Sequence, residues 1–246
     1  LLVWLAGIPR RVGFSISEGR IFLTDLVSFD WRTHDLERNL NLLEPLGVGS
    51  SPISAELALN IEPEVAKDLF AQYNIIDTDL VIGINPGSIW PTKCWLSERF
   101  AQVADRLVQE KKAKIVIFGS EEDLPIAKEV EKGMRYPVIN LAGKTTLKQL
   151  VSSISRCLIF ITNDSGPMHI AVAMKVPTVA IFGPTTKELG FYPYGEKHKV
   201  VEVELKCRPC SLHGGKKCPL GHFNCMRMIT AEKVYQTVNE ILEGKN

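Results

Sequence analysis

Three loops of the sequence carry glycine, hydroxyl and charged side chains immediately after short apolar runs. The first loop, 86–95, follows the run VIGIN and contains Gly87, Ser88 and Lys93 just before a helix. A glycine lets backbone amides approach a ligand closely, and a lysine supplies a compact positive charge that suits phosphate. The loop therefore predicts a phosphate contact at Lys93, with a plain turn and a solvated lysine as the alternative.

The second loop, 164–169, has the sequence Asp-Ser-Gly-Pro-Met-His. Pro167 suits the first turn of a helix, whose N–H groups and positive end would then face an anion. In that case Ser165 and His169 lie on one side of the opening turn. Asp164 would repel a pyrophosphate, so it is expected to bind a sugar hydroxyl or to orient its neighbours. Alternatively, the Asp and Ser are N-caps and the histidine is satisfied in the core.

The third loop, 184–187, has the sequence Pro-Thr-Thr-Lys and would border the same anion site, although such a segment is more often a strand exit followed by a surface lysine. A further turn, 119–122, ends the second apolar run. There Glu122 could accept hydrogen bonds from a ribose. A glutamate in the first turn of a helix is, however, also favoured by the helix dipole without any ligand.

Four of the six cysteines fall within nineteen residues near the C-terminus: Cys207, Cys210, Cys218 and Cys225. With the two histidines between them, they provide enough ligands for a tetrahedral zinc ion, although their spacing does not match a standard zinc finger. A structural metal, disulfide bonds and free thiols all remain open for this cluster.

The elements that position these loops alternate in type. Apolar runs of strand type occur at 81–85, 114–119, 137–143, 158–163 and 177–183. Helices are expected from Ser97, over about 121–132 and 146–155, after Pro167 and from near Thr230. Continuous apolar strands alternating with helices indicate a parallel sheet covered on both faces. We therefore predict a doubly wound, Rossmann-like α/β domain over 80–246, with its ligand at the carboxyl ends of the strands.

Residues 1–79 follow a different pattern. Their predicted elements are extended segments at 11–14 and 21–27, a helix at 34–46 ending at Gly47, and a helix at 64–73 opened by Pro63. No glycine-rich strand-to-helix turn occurs among them. We therefore predict that 1–79 is the C-terminal part of a first domain, the remnant of a Rossmann-like fold, with a linker near 74–80.

The composition of the chain limits the classes of partner that it is expected to bind. The formal net charge is +1 over 246 residues, which gives little long-range attraction to a nucleic acid, and we predict no nucleic-acid partner. The apolar run 1–8 is far shorter than the roughly 20 residues that cross a bilayer, and it lacks the features of a signal peptide. Six cysteines are too few for a disulfide scaffold in a chain of this length, which favours a reducing, cytoplasmic setting.

Taken together, PGSIWPTKCW, GSEED, LAGKTTL, NDSGPMHIAVAMKVPTVAIFGPT and the cysteine segment resemble the lipopolysaccharide heptosyltransferases, glycosyltransferase family 9, closest to the heptosyltransferase II group. WLAGIPRRVGF and HDLERNLNLLEPLG resemble the later part of that family's first domain. The resemblance implies a GT-B architecture with an acceptor-binding domain, here 1–79, and a donor-binding domain, here 80–246. It also implies transfer of L-glycero-D-manno-heptose from ADP-heptose to the lipopolysaccharide inner core.

The resemblance also implies roles for single residues. Ser88 and Lys93 would contact the donor phosphates, together with the backbone of Ser165 and Gly166. Asp164 and His169 would position phosphate or heptose. The resemblance places Glu122 and Thr145 near the adenosine.

An inverting transfer needs a base within hydrogen-bond reach of the acceptor hydroxyl. The family's N-terminal glycine-rich turn and catalytic aspartate have no counterpart here, so the base is expected in a segment outside these 246 residues. Lys93 would stabilise the leaving diphosphate without a metal, because the sole Asp-x-Asp pair, 77–79, precedes the first strand and lies at its wrong end. We predict no required cofactor.

The implied location is the cytoplasmic face of the inner membrane, peripherally associated. Two other readings stay open: a non-catalytic nucleotide-sugar-binding module, and a related core glycosyltransferase with another donor. The sequence determines neither the exact acceptor nor the oligomeric state.

Overall fold

The computed structural model describes residues 1–48 and 57–244. These residues divide into two compact units, 1–48 with Lys187–Tyr192, and Leu57–Thr186 with 193–244. The larger unit begins at Leu57 and not at residue 80. It includes the helix Pro63–Ala71 because Leu69 and Phe70 of that helix are buried in one apolar cluster with Ile154 and Phe160.

The larger unit contains a six-stranded sheet in which all neighbouring strands are parallel. Its strands are β3 (Val81–Asn85), β4 (Lys114–Ile117), β5 (Ile139–Asn140), β6 (Ile159–Asn163), β7 (Thr178–Ile181) and β8 (Lys199–Val201). The order across the sheet is β5-β4-β3-β6-β7-β8. This is the doubly wound Rossmann order, in which the direction of winding reverses between the first and fourth strands of the sheet, here β3 and β6.

Helices cover both faces of this sheet. They are α3 (Pro63–Ala71), α4 (Ser97–Lys111), α5 (Leu124–Gly133), α6 (Leu147–Ser155), α7 (Gly166–Ala173), α8 (Asn224–Arg227) and α9 (Ala231–Leu242). Side chains of α4, α5 and α9 form one apolar cluster with Ile82 and Ile84 of β3, whereas α3, α6 and α7 form another with Val81. Alternate residues of a strand point to opposite faces, so this division confirms the predicted doubly wound α/β domain.

The strand and helix bounds depart from the sequence prediction at several points. β8 was not predicted, and the run 137–143 is a strand only at Ile139–Asn140. α4 begins at Ser97, the residue from which a helix was expected; Leu96 occupies the N-cap position without a side-chain capping bond, and the Ser97 hydroxyl donates to Glu129 Oε2 at 3.1 Å. Thr146 does cap α6, through a capping box with Gln149.

The smaller unit contains a two-stranded parallel sheet, β1 (Val12–Phe14) with β2 (Asp25–Val27), and the helices α1 (Leu2–Leu5) and α2 (Asp35–Asn41). The predicted extended segment 21–27 begins instead with a 3₁₀ turn, Arg20–Phe22, and the predicted helix 34–46 is α2 followed by a 3₁₀ turn, Glu44–Leu46. Gly47 ends this turn with φ +78°, as predicted for a helix stop. In the described parts of both units, no helix has the length and hydropathy required to span a bilayer.

Candidate functional site at the carboxyl ends of the strands

The site lies where the sheet reverses its winding. β3 and β6 are neighbours, and α4 and α7, which follow them, lie on opposite faces of the sheet. The chain therefore leaves the two strands toward opposite faces of the sheet, and the switch point between them, called the crevice below, is where ligands bind in open parallel sheets. The 86–95 loop and the 164–169 loop border this crevice, so the structure brings together the two loops that the sequence singled out.

Lys93 and Asp164 form a buried ion pair at this point. Lys93 ends a 3₁₀ turn, Pro91–Lys93, and its Nζ lies 2.6 Å from Asp164 Oδ2. The side chains are only 12% and 8% exposed. The hydroxyl of Thr185, in the loop after β7, donates to the same carboxylate oxygen at 2.7 Å. The carboxylate thus holds the ammonium group at the crevice, and all three candidate loops contribute to this contact.

A polar network fixes the backbone beneath this pair. Asn163, at the end of β6, donates from Nδ2 to the Pro86 carbonyl at 2.7 Å, and its Oδ1 accepts from Trp95 N at 3.0 Å. Both ends of the lysine loop are therefore hydrogen-bonded to one buried side chain. Buried amides that satisfy backbone groups in this way rigidify a loop, because leaving them unpaired would be costly.

Ser165 is the N-cap residue of α7, but its side chain makes no capping hydrogen bond. Its Oγ instead donates to Asn85 Oδ1 at 3.1 Å and lies 3.1 Å from Thr162 Oγ1. The interpretation of Ser165 as a simple N-cap is therefore wrong in this structure. No side chain caps this helix, Pro167 has no N–H, and the Met168 amide donates to the Ser165 carbonyl at 3.2 Å, so the amides of Ser165 and Gly166 are the candidates for contacting an anion.

The other predicted contacts of the donor phosphates lie beside this pair. Ser88 is half-buried, and its Oγ donates to the Asp164 carbonyl at 3.4 Å. Gly166 is the first residue of α7, and His169 follows it in the first turn, exposed rather than packed in the core. Ser88, Asp164, Gly166 and His169 thus share one edge of the sheet with Lys93.

The predicted adenosine contacts lie on the loops after β4 and β5. Glu122 is exposed in the turn after β4, and its pKa is held below its usual range by a backbone amide and by the hydroxyl of Ser120. Thr145 is half-buried in the loop after β5. The two loops adjoin, because the Gly143 amide donates to the Gly119 carbonyl at 3.0 Å. Glu122 and Thr145 therefore lie on adjacent loops at the same edge of the sheet as the lysine pair.

Sequence reasoning missed Asp123. Its Oδ2 accepts from the amide and the hydroxyl of Ser120, at 2.8 and 2.9 Å. A Cβ placed on Gly87 would come within 2.0 Å of Asp123 Oδ1. The glycine of the lysine loop is therefore required for close approach to this carboxylate. The signal in the sequence was Gly87 itself, because its partner Asp123 follows the neighbouring strand β4 and is distant along the chain.

Three of the clustered cysteines, Cys207, Cys210 and Cys218, lie in the loop between β8 and α8, called the cysteine loop below, and Cys225 lies in α8. The six cysteines are free thiols, so the disulfide alternative is not what the structure shows. Cys210, Cys218 and Cys225 line a mainly apolar cavity of about 90 Å³. Burial raises the pKa of the Cys225 thiol to about 11, whereas the backbone amide of Phe223, followed by three others, lowers the pKa of Cys218.

Within the described residues, no group of three or more His, Cys, Asp or Glu side chains is arranged to hold a metal ion. The four thiols therefore do not form a ready-made zinc site, and a structural zinc ion stays a prediction.

Lys93 and the start of α7 thus meet at the switch point of a Rossmann-like sheet, which is where such folds bind their ligands. The sequence model of glycosyltransferase family 9 (heptosyltransferase) matches residues 1–222. The chain belongs to this family.

Individual relatives agree with this membership. The chain is similar to lipopolysaccharide heptosyltransferase 2 of Escherichia coli K12, at 31% identity over 98% of this chain and 72% of the relative. It is also similar to lipooligosaccharide heptosyltransferase 2 of Campylobacter jejuni serotype O:2, at 39% identity over 68% of this chain. That match spans 52% of the relative, so the chain covers about half the length of this curated relative.

Solved structures show the same fold. A family 9 glycosyl transferase from Veillonella parvula has a TM-score of 0.79 and 31% identity, covering 92% of this chain and 64% of its own. The E. coli ADP-heptose lps heptosyltransferase II has a TM-score of 0.78 over 99% of this chain and 73% of its own; at 24% identity it shows the fold alone. These neighbours confirm the predicted GT-B fold class.

Proposed function

We propose that the chain binds ADP-heptose and takes part in heptose transfer to the inner core of lipopolysaccharide. The observation that carries this proposal is the Lys93–Asp164 pair at the winding reversal, beside the start of α7. A diphosphate placed there would meet a positive side chain and the positive end of a helix. Membership of the heptosyltransferase family supports heptose as the sugar.

The proposed chemistry is an inverting displacement. As the bond between the sugar and the diphosphate breaks, negative charge grows on the leaving phosphate oxygens. Lys93 Nζ and the backbone amides of Ser165 and Gly166 would stabilise that charge electrostatically. The hydroxyl of Ser88 would add a hydrogen bond to a phosphate. Stabilisation by fixed groups is effective here because Lys93 is already positioned by Asp164 and needs little rearrangement.

The same groups support transfer without a catalytic metal. Metal-dependent sites hold their cation on carboxylates near the phosphates. The Asp-x-Asp pair of this sequence lies before β3, at the opposite edge of the sheet from the crevice. Its Asp79 carboxylate instead lies 2.7 Å from Lys114 Nζ and 2.7 Å from the Ile76 amide. Asp164, the carboxylate beside the proposed phosphates, is paired with Lys93, so Lys93 would supply the positive charge there.

The remaining contacts would fix the rest of the donor. Glu122 and Thr145, on the adjoining loops after β4 and β5, would hold the adenosine, with the exposed carboxylate accepting hydrogen bonds from ribose hydroxyls. Asp164 and His169 would position the phosphate or the heptose. The acceptor would bind mainly through the first domain, and its hydroxyl would be deprotonated by a general base within hydrogen-bond reach.

A basic surface supports an anionic acceptor. Lys206, Lys216, Lys217 and Arg227 are exposed on the cysteine loop and α8. Such a surface would attract the phosphates of an inner-core acceptor at the cytoplasmic face of the inner membrane. The side chain of Arg208, another basic residue of this loop, is instead buried and donates to carbonyls of the loop after β7.

Calorimetry with ADP-heptose, ADP and UDP tests the donor. We expect ADP and ADP-heptose to bind more tightly than UDP, and Lys93→Ala to weaken ADP binding by about tenfold or more, the loss typical of one charge-assisted contact. Equal binding of ADP and UDP would contradict the adenosine assignment, and an unchanged Lys93→Ala affinity would remove the lysine from the site. Donor binding without turnover in a full-length enzyme would favour a non-catalytic binding module.

A structural zinc ion in the cysteine loop is a separate proposal, independent of catalysis. Metal analysis of the purified protein tests it. One zinc per chain in the wild type, falling to less than half of that in Cys218→Ser, would support it. A metal-free wild-type protein with full thermal stability would contradict it.

A further inference from the structure

The cysteine loop contacts the turn that carries Lys93. Thr92 Oγ1 donates to the Gly215 carbonyl at 2.9 Å and accepts from the Gly215 amide at 2.8 Å. The Thr92 amide donates to the same carbonyl at 3.2 Å. Thr92 is buried, with 6% of its surface exposed. Three hydrogen bonds shielded from water therefore join the residue next to Lys93 to a single residue of the cysteine loop.

The adjacent glycine of that loop packs on the lysine side chain itself. Gly214 has φ +90°, a conformation that favours glycine. A Cβ at this position would lie 3.1 Å from Lys93 Cγ and 3.3 Å from Cε, and also 3.1 Å from Trp90 Cβ. The Gly214 backbone thus covers the aliphatic stem of Lys93, while the ammonium group at its end contacts Asp164.

The first part of the same loop contacts the other partner of the ion pair. The side chain of Arg208 is only 4% exposed and donates to the Thr185 carbonyl at 2.7 Å. The Cys210 amide donates to the Pro184 carbonyl at 2.9 Å. Thr185 in turn donates its hydroxyl to Asp164. One loop therefore fixes both the lysine turn and the segment that holds the carboxylate.

We propose that the cysteine loop holds Lys93 in place for the donor diphosphate, and that Thr92 is the positioning residue through which it does so. This inference rests on the proposed donor site. A lysine side chain has many rotamers, and ordering it before the ligand arrives removes an entropy cost from binding. Thr92 touches neither phosphate nor sugar in this scheme. It acts on the ligand only through its neighbour.

A double-mutant cycle on ADP affinity tests the proposal. Calorimetry is run on the wild type, Thr92→Val, Lys93→Ala and the double variant, with Thr92→Ser as the conservative rescue. We expect Thr92→Val to weaken ADP binding about fivefold to tenfold in the wild-type background and less than twofold in the Lys93→Ala background. Thr92→Ser, which keeps the hydroxyl, should bind within about twofold of the wild type. The control Thr237→Val, which removes a hydroxyl from α9, should bind as the wild type does.

The outcomes separate the inference from the proposed function. A wild-type chain that does not bind ADP refutes the donor site. A wild-type chain that binds, combined with equal losses from Thr92→Val in both backgrounds, overturns the positioning role, because a general loosening of the fold does not depend on Lys93. A rescue variant as weak as Thr92→Val also overturns it. If Thr92→Val does not fold, Gly214→Ala replaces it in the double-mutant cycle. A loss of ADP affinity that depends on Lys93 then supports the positioning role of the loop, and equal losses in both backgrounds overturn it.

Discussion

The buried ion pair predicts a strong energetic coupling between Lys93 and Asp164. Their atoms lie 2.6 Å apart with side-chain exposures of 12% and 8%, so each charge loses most of its water on folding. Removing one partner of such a pair typically costs about 3–5 kcal/mol, because the other charge remains buried. In Lys93→Met, Asp164 keeps the Thr185 hydroxyl as a donor, which places the expected loss near the lower end, about 3 kcal/mol.

Replacing both charges should restore most of the lost stability. Lys93→Met combined with Asp164→Asn leaves no buried charge, and we expect the double variant to unfold within about 1 kcal/mol of the wild type. Lys93→Met should melt roughly 6–12 °C lower, at about 2–4 °C per kcal/mol for a chain of this size, and Asp164→Asn at least as much lower, because it leaves the lysine charge buried. Thermal and urea unfolding of the four proteins measures the coupling. Losses that simply add in the double variant would refute the buried-pair reasoning.

Three further predictions follow from single contacts. Gly87→Ala should weaken ADP binding, because the new Cβ would lie 2.0 Å from Asp123 Oδ1. Gly19→Ala, where a Cβ meets open space, is the control and should bind ADP as the wild type does. Equal losses of affinity in the two variants, measured by calorimetry, would contradict the close approach of Gly87 to Asp123. Burial lowers the pKa of His198 to about 4 from its ordinary 6.5, so the folded state binds fewer protons than the unfolded state and stability is lost as pH falls below about 6.5. The free energy of unfolding, measured with urea at pH 4.5–7, should rise with pH by at most about 1.4 kcal/mol per pH unit, and His198→Gln should remove this rise. An unchanged rise in the variant would exclude the histidine as its source. Thr146→Ala should cost α6 about 1 kcal/mol by removing its N-cap hydroxyl, measured as the midpoint of thermal unfolding, and no change in the midpoint would mean that the capping box contributes nothing.

The fold of the larger unit was accessible from its sequence because two signals agreed. The strands 81–85 and 159–163, which belong to uninterrupted apolar runs, are buried on both faces, as is typical of a parallel sheet with helices on either side. The loop after each run then falls at one edge of the sheet. This is why Lys93 and Asp164, 71 positions apart, could be assigned to one site before any coordinates were considered.

Other features depended on tertiary contacts that no local pattern encodes. β8 is three residues long and lies between charged segments, so its sequence carried no strand signal. The segment 64–73 was predicted as a helix. The unit to which the helix Pro63–Ala71 belongs depends, however, on which apolar cluster Leu69 and Phe70 pack into. Such assignments are decided by packing and not by periodicity.

Side-chain orientation within the site was the least predictable part. The capping statistics that favoured Ser165 as a helix cap could not reveal that Asn85, on another strand, takes its hydroxyl instead. Thr185 belonged to a loop that usually means only a strand exit, yet its hydroxyl reaches Asp164. Both contacts exist because the carboxyl ends of β3, β6 and β7 lie side by side, which is a property of strand order and not of any single segment.

The most direct test of the central claim is a crystal structure of the protein with ADP bound. We expect the diphosphate in the crevice between the ends of β3 and β6, with phosphate oxygens about 3 Å from Lys93 Nζ and from the amides of Ser165 or Gly166. ADP bound elsewhere, with Lys93 still in contact with Asp164 alone and no phosphate at the start of α7, would contradict the account.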